Sequence, residues 1–275
     1  MIKLCYLDGA FVSPEEARLP VSDLMIQRGI GVFESISTYD RRALMLTPHL
    51  ERFLFSAKSS YIASPLGIAE MREVVREGIS KLDCELLIKT YLSGGDEFNR
   101  VRGFTEPRFF VTFEDLELPP REFYEQGIRL EPIDDYREDP AIKSIDYRKA
   151  YALAPHDEHT EILYCPEGEI TESAHSSFFV VLNDVLVTAP LTRVLKGTTR
   201  QAVLDLAHGD GIEVEERCPL LSELPQCSEA FITGSIKKIL PVVRVGSQII
   251  GDGLVGAMTK KLSEAYIEHI REWLE

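Results

Sequence analysis

The sequence predicts a two-domain protein of the mixed α/β (α+β) class. The chain has 275 residues, enough for two domains at about 150 residues each. Patterns typical of helices and of strands occur in both halves, and strands dominate the second half. The segment Glu114–Pro120 is acidic and carries a double proline, which is typical of a domain boundary. We therefore expect a small domain at residues 1–114, a linker at 115–124 and a large domain at 125–275.

Strand and helix patterns alternate in the first half. A hairpin is predicted around Asp8-Gly9, because this dipeptide suits the positive φ angles of a tight turn. Thr47 is a good N-cap and Pro48 a good first residue, so a helix is expected to begin there. The other predicted elements are a helix through Ile68, Met71, Val75, Ile79 and Leu82 and two strands at Glu85–Leu92 and Arg108–Phe113.

The second half reads mainly as strands with two helices. One helix is expected over Thr199–His208, preceded by Gly197 and ended by Gly209. A final helix passes through Leu262, Tyr266, Ile270 and Trp273. The expected strands are Ile128–Ile133, Glu161–Cys165, Phe178–Leu182, Val185–Thr188, Ala230–Thr233 and Val242–Val245.

Composition excludes several classes of protein. Acidic residues outnumber basic ones by 45 to 30, a net charge of −15, and no basic cluster is present. Such a chain repels a phosphate backbone, so no nucleic acid partner is expected. No apolar run approaches the ~18 residues of a membrane span, so no membrane association is expected. The five cysteines have no CxxC spacing, which favours a reducing, cytoplasmic location and argues against zinc.

Two motifs that resemble ligand sites lack the context they need. Gly251–Gly256 matches GxGxxG, but only one helix follows, without a second parallel strand and an acidic residue about 20 positions on. His156 and His159 stand three residues apart, but nothing nearby completes a metal site. We therefore expect a glycine-rich turn, a polar turn and no bound metal.

The segment Leu195–Arg200 has the features of an anion site. Gly197 lets the backbone approach a ligand closely, Thr198 and Thr199 supply hydroxyl and N–H donors, and a helix start attracts negative charge. A capped helix without a ligand is the alternative.

This loop belongs to a longer ordered series of motifs. The series is Arg28–Glu34, His49–Arg52, Ile142–Tyr147, Ile170–Phe179, Leu186–Thr188, Leu195–Arg200 and Thr233–Ile236. Its order and spacing closely resemble the fold-type IV pyridoxal 5'-phosphate (PLP) enzymes, the class IV aminotransferases. The resemblance spans nearly the whole chain. It implies a homodimer with PLP bound mainly by the C-terminal domain, in the interdomain cleft.

The resemblance also implies roles for individual residues. Lys143 falls at the lysine that forms a Schiff base with PLP and moves the Cα proton of the substrate. Glu172 falls at the carboxylate that keeps the pyridine nitrogen protonated. Further cofactor contacts are implied for Arg52, Tyr147, Leu195, Thr198, Thr199 and Ser235. Of these, the arginine, the threonines and the serine would hold the phosphate.

Three positions depart from the family pattern. Ser177 and Asp146 stand where relatives usually have asparagine, and Thr198 stands where they usually have isoleucine. The first two changes remove amide groups near the ring and the lysine, whereas the third adds a donor.

The expected substrates are an amino acid and a 2-oxo acid. Arg28, Phe33 and Lys89 are the candidate substrate-binding residues, and the two cations are candidates for the α-carboxylate. The first expectation is an aminotransferase that favours D-amino acids. Aminodeoxychorismate lyase, which eliminates pyruvate with the same lysine, is the main alternative. A branched-chain aminotransferase follows, made less favourable by Thr233–Lys238 in place of a Gly-Thr-Ala turn. A protein that binds PLP without catalysis is the last alternative.

Overall fold

The computed structural model describes residues 1–155, 157 and 159–275. The chain forms two compact units. The first contains Met1–Glu117, Ile142–Asp146 and Ile270–Glu275, and the second contains Leu118–Ala141 and Tyr147–His269. Two short segments from later in the chain, Ile142–Asp146 and Ile270–Glu275, therefore belong to the first unit. A division of the chain into two continuous stretches would place both segments in the second unit. The division at residues 1–114 and 125–275 stays a prediction.

The first unit contains a six-stranded antiparallel sheet in the order β2-β1-β8-β5-β3-β4. Its elements are β1 (Ile2–Leu7), β2 (Ala10–Val12), α1 (Leu24–Arg28), β3 (Gly31–Tyr39), β4 (Arg42–Ala43), α2 (Leu46–Ser59), α3 (Ile68–Ser80), β5 (Leu86–Ser93), β6 (Glu97–Asn99), β7 (Gly103–Thr105) and β8 (Phe109–Asp115). Strands β6 and β7 form a separate hairpin.

Strand periodicity separates the two faces of this sheet. In β5 the residues Leu86, Ile88, Thr90 and Leu92 are buried, and the residues between them are half-buried. The buried apolar residues join one core with Phe53 and the other inward residues of α2 and α3. The opposite face, called here the outer face, carries the alternate residues, because successive side chains of a strand point to opposite sides.

The predicted hairpin and the two predicted helices, α2 and α3, are present in the first unit. The start of α2 differs from the prediction. The helix begins at Leu46, and its N-cap is Met45 in the left-handed conformation with φ 52° and no side-chain capping bond. Thr47, predicted as the N-cap, instead donates its backbone N–H to Glu275 Oε1 at 2.8 Å. A carboxylate from the far end of the chain thus satisfies the helix start, so a local capping residue is not required.

Two other local expectations need correction. Strand β3 was not predicted, because the polar residues Glu34 and Thr38 occupy buried positions on it and the sequence shows no clear apolar alternation. The apolar residues Ile142 and Ile145 beside Lys143 predict a partly buried strand, but the structure has an isolated bridge between Val32 and Ser144 there instead.

The second unit contains a nine-stranded sheet in the order β11-β10-β9-β16-β15-β12-β13-β14, with β17 beside β16. Its elements are α4 (Arg121–Gln126), β9 (Ile128–Ile133), α5 (Arg148–Ala152), β10 (Thr160–Tyr164), β11 (Glu172–Ser173), β12 (Ser176–Leu182), β13 (Val185–Thr188), α6 (Thr198–Gly209), β14 (Val214–Glu216), β15 (Cys227–Gly234), β16 (Lys238–Val245), β17 (Gln248–Ile249) and α7 (Ala257–His269). Because β11 also pairs with β12, six of these strands close into a ring.

The main core of this unit and the helices α6 and α7 lie on different sides of β12 and β15. Phe178, Val180 and Ile232 belong to the main core. Phe179 and Phe231 point the other way and stack with ring centroids 4.9 Å apart. Helices α6 and α7 both contact β15, and Glu229 of β15 caps α7 by accepting from the N–H of Met258 and Thr259.

The ends of both predicted helices of this unit shift. Helix α6 includes Gly209, which was expected to end it, and Gly211 with φ 69° follows. The final helix α7 stops at His269, and a short 3-10 helix continues over Ile270–Trp273. Within the described part of the chain, none of the helices has the length and apolar character needed to cross a membrane.

Candidate active site

Lys143 is held through its backbone in the first unit. Its N–H donates to Ser56 Oγ of α2 at 3.1 Å, and its carbonyl accepts from the N–H of Phe33 in β3 at 3.0 Å. The Nζ atom lies 4.7 Å from the centre of the Phe33 ring. The predicted catalytic lysine is therefore half-buried and anchored to both a helix and a strand.

A buried ion pair lies at the same end of the first unit. Glu34 accepts from Arg52 Nε and from a terminal guanidinium nitrogen, both at 2.7 Å, and contacts His49 Nδ1 at 2.7 Å. Glu34 is fully buried and Arg52 is 8% exposed. His49 and Arg52 meet Glu34 together because residues three apart share one face of α2.

Electrostatics favour the charged form of Glu34 and the neutral form of His49. Burial by itself raises the pKa of Glu34, but Arg52 and His49 outweigh it and hold the pKa well below its usual range. Burial lowers the pKa of His49, and nearby Arg52 and Lys143 lower it further against the opposing effect of Glu34. The cluster therefore carries one negative and one positive charge at neutral pH.

The role predicted for Arg52 stays a prediction. Its guanidinium is buried and oriented by Glu34 rather than lying in a surface salt bridge. Sequence reasoning included Glu34 and His49 in longer motifs but assigned them no role. The signal that was available is the i, i+3 spacing of His49 and Arg52 on α2.

The outer face of the sheet carries an aromatic row beside Lys143. Phe33, Tyr91 and Phe110 face one another across three adjacent strands. The ring centroids are 6.1 Å apart for the first pair and 4.8 Å for the second. Phe33 was predicted at the substrate, whereas Tyr91 and Phe110 were not singled out. The signal for them was the alternation of β5 and β8.

The two predicted carboxylate-binding cations have different surroundings. Lys89 lies on the outer face, where its Nζ contacts Glu114 at 2.8 Å. Arg28 is exposed at the end of α1 and donates to the carbonyl of Gln27 at 3.1 Å. Strand alternation thus places Lys89 on the face that carries Phe33. The substrate role of both cations stays a prediction.

In the second unit, Glu172 is a buried carboxylate at a backbone turn. It is 3% exposed, its Oε2 accepts from the N–H of Leu195 at 3.2 Å, and its Oε1 lies 3.7 Å from a guanidinium nitrogen of Arg137. Leu195 is itself buried. The two residues that were predicted to contact the cofactor ring are therefore neighbours, joined by a hydrogen bond.

The start of α6 has the geometry of an anion site. Its N-cap is Gly197, which has no side chain that could cap the first turn of the helix. A Cβ atom on Gly197 would lie 2.9 Å from Ser177 Oγ, so any other residue here would crowd that hydroxyl. Thr199 is buried and Thr198 half-buried in the first turn. These features fit a bound phosphate.

Arg200, which ends the Leu195–Arg200 motif, has a structural role. Its guanidinium is 1% exposed and donates to the carbonyl of Ala189 at 2.9 Å and to Glu216 at 2.7 Å. It fastens α6 to the end of β13 and to β14.

The remaining predicted contacts lie in the same unit. Ser235 is half-buried in the turn after β15. Tyr147 stacks on His175 with ring centroids 4.8 Å apart and an interplanar angle of 8°, and Arg137 lies 5.8 Å from the Tyr147 ring. Sequence reasoning gave no role to Arg137 or His175, for which no local signal was evident.

The structure describes the glycine-rich motif and part of the histidine motif. Among residues 1–155, 157 and 159–275, no group of three or more His, Cys, Asp and Glu side chains is placed to hold a metal ion. His156 lies outside the described residues, and His159 packs on the ring of Phe123. In the glycine-rich stretch, a Cβ on Gly256 would overlap Glu229, the carboxylate that caps α7.

Comparison with known proteins agrees with this geometry. The family model of amino-transferase class IV matches residues 31–245. A "Putative branched-chain-amino-acid aminotransferase" of Methanocaldococcus jannaschii is 33% identical, covering 98% of this chain and 96% of its own. A D-alanine aminotransferase of Staphylococcus haemolyticus is 25% identical, covering 96% and 97%.

Solved structures show the same fold. The branched-chain amino acid aminotransferase of Escherichia coli superposes with a TM-score of 0.92 at 26% identity, covering 100% of this chain and 99% of its own. The T.th. branched-chain amino acid aminotransferase, solved with pyridoxamine 5'-phosphate, has a TM-score of 0.91 at 24% identity. The match covers 100% of this chain and 98% of the T.th. chain.

The fold and the two residue clusters define a PLP-dependent transaminase. The chain belongs to the class IV aminotransferases, which confirms the predicted family, mixed α/β fold and cofactor. The buried carboxylate at Glu172 and the glycine-capped start of α6 both fit PLP.

Proposed function

We propose that this chain transfers amino groups between branched-chain amino acids and 2-oxo acids. PLP supplies an aldehyde for the amine and a ring that accepts an electron pair from the substrate. The reaction class is established by the family. The substrate and the role of each residue are the proposal.

Each cluster has a distinct task in this proposal. Lys143 Nζ carries the amine that holds the cofactor, and, once released, takes the proton from the substrate Cα as a general base. Its anchored backbone limits where Nζ can move. Glu172 holds a proton on the pyridine nitrogen, since its buried carboxylate is the negative group there. The N-terminus of α6 holds the phosphate.

The observation that favours a branched-chain substrate is the aromatic row on the outer face. Phe33 lies 4.7 Å from the Lys143 amine, and the row continues through Tyr91 and Phe110. An aliphatic side chain gains about 25 cal/mol per Å² of apolar surface buried against such a wall. Lys89, the cation on this face, already contacts Glu114, so the face favours apolar over acidic side chains. The Methanocaldococcus jannaschii relative carries the same substrate class in its name.

A D-amino acid substrate is the second candidate. D-alanine aminotransferases are similar to this chain at 24% to 27% identity over 94% to 96% of its length. Arg28, exposed at the end of α1, is the residue predicted to bind the carboxylate in that case. The homodimer and the cytoplasmic location also stay predictions.

Product handedness tests the proposal directly. The purified protein with PLP is incubated with 2-oxoglutarate and one donor: L-leucine, L-valine, L-alanine, D-leucine or D-alanine. Chiral chromatography then measures L- and D-glutamate. We expect L-glutamate from the L-branched-chain donors, and at least about 10-fold less from L-alanine, which cannot fill the apolar face.

Two controls separate the alternatives. Phe33→Ala should raise KM for leucine more than for alanine, because the removed ring contacts only the larger side chain. Formation of D-glutamate from D-alanine would support the second candidate and contradict the first. Pyruvate release from aminodeoxychorismate, without any amino acceptor, would instead support the lyase.

A further inference from the structure

Thr233 is a buried threonine whose hydroxyl has no hydrogen-bond partner. The residue is 3% exposed, and its Oγ1 contacts no donor or acceptor among the described residues. Leaving a buried hydroxyl unpaired is unfavourable, because the group loses its hydrogen bonds to water and gains none in the protein. Thr188 in the same sheet shows the usual arrangement, since its Oγ1 donates to the carbonyl of Phe178 at 2.7 Å. Thr233 therefore needs an explanation that the protein atoms do not provide.

Strand register shows which way Thr233 points. It lies directly opposite Ser177 in the antiparallel pair of β15 and β12, and directly opposed residues share a face of the sheet. Two residues earlier in β15 and two later in β12, Phe231 and Phe179 stack on each other. These rings lie on the face away from the main core, where α6 contacts β15.

Ser177 connects this face to the start of α6. Its Oγ lies 2.9 Å from the position of a Cβ on Gly197, the N-cap of the helix. The Thr233 side chain, opposed to Ser177, therefore lies on the face of the sheet that carries the helix start. Gly197 has no side chain that could cap this helix start.

We propose that Thr233 is a further ligand of the phosphate group of the cofactor. Its Oγ1–H donates to a phosphate oxygen at the N-terminus of α6, beside Ser177. The inference rests on the proposed cofactor site and adds to it a residue that lies before the Ser235 turn. The unpaired hydroxyl is satisfied only when the anion is bound. Removing it should therefore weaken binding without weakening the fold.

The experiment compares Thr233→Val with Thr188→Val and wild type. Binding of PLP, of pyridoxal and of inorganic phosphate is measured by fluorescence and calorimetry, and apo stability by urea unfolding. For Thr233→Val we expect about 10- to 100-fold weaker binding of PLP and phosphate, the effect of one lost bond to a charged group. Binding of pyridoxal, which lacks the phosphate, should be unchanged, and the urea midpoint should not fall. Thr188→Val should show the opposite result, a lower midpoint with unchanged PLP affinity.

The outcomes separate this inference from the proposed function. Unchanged PLP and phosphate affinity in Thr233→Val overturns it, as does an equal loss for PLP and pyridoxal, or a fall in apo stability that matches Thr188→Val. If wild type binds phosphate in a Thr233-dependent manner but forms no PLP complex, Thr233 is confirmed as an anion ligand, whereas its assignment to the cofactor is overturned together with the proposed cofactor roles. If wild type binds neither ligand, both fail.

Discussion

Replacing Glu34 with glutamine should destabilise the first unit strongly. The carboxylate is fully buried and makes two 2.7 Å bonds to a guanidinium that is 8% exposed. Glutamine keeps the shape but leaves the charge of Arg52 buried without its counter-ion. Breaking one partner of a buried pair costs about 3–5 kcal/mol. We expect a loss of this size in the free energy of unfolding of Glu34→Gln.

Urea unfolding followed by circular dichroism measures the effect, with Glu114→Gln as the matched control. Glu114 pairs with Lys89 at a half-exposed site, with side-chain exposures of 18% and 29%, so its loss should cost about 0–1 kcal/mol. The combined change Glu34→Gln and Arg52→Met should recover part of the stability, because no buried charge remains. If Glu34→Gln costs no more than Glu114→Gln, the argument from the buried pair is refuted.

The same pair predicts a pH dependence. The pKa of Glu34 in the folded protein is held below its usual value, whereas in the unfolded chain it is about 4.3. The unfolded state therefore binds the proton first as pH falls, so the stabilisation is complete above about pH 4.3 and is lost at lower pH. Glu34→Gln should show a flatter decline in stability over that range, measured as the midpoint of unfolding against pH.

The remaining predictions concern the two clusters and the start of α2. Lys143→Ala should lose transamination by at least about 10²-fold, as for loss of a general base, and borohydride reduction should no longer attach the cofactor at that position in a peptide map. Glu172→Gln should keep the fold but lower kcat by about 10²-fold, seen in steady-state rates together with a shifted cofactor absorbance. Glu275→Gln, which weakens the acceptor for the N–H of Thr47, should cost about 0.5–2 kcal/mol in urea unfolding, and an unchanged midpoint would contradict its role as a cap.

Local patterns predicted much of the fold because they report on a single element at a time. Runs rich in apolar residues located β5 and β8, and period-3.6 patterns located α2, α3 and α6. Strand β3 was missed because the polar residues Glu34 and Thr38 occupy buried positions on it. The start of α2 was misplaced because its capping group comes from Glu275, far along the chain.

The sequence by itself determined the family and the motif residues, including Lys143 and Glu172, because each lies in a short ordered motif. Only the tertiary structure decided that Glu34 and Arg52 form a buried pair, and that the Thr233 hydroxyl is buried without a hydrogen-bond partner among the described residues. The physical reason is that burial and pairing depend on register and packing between segments distant in the chain. No local periodicity encodes those contacts.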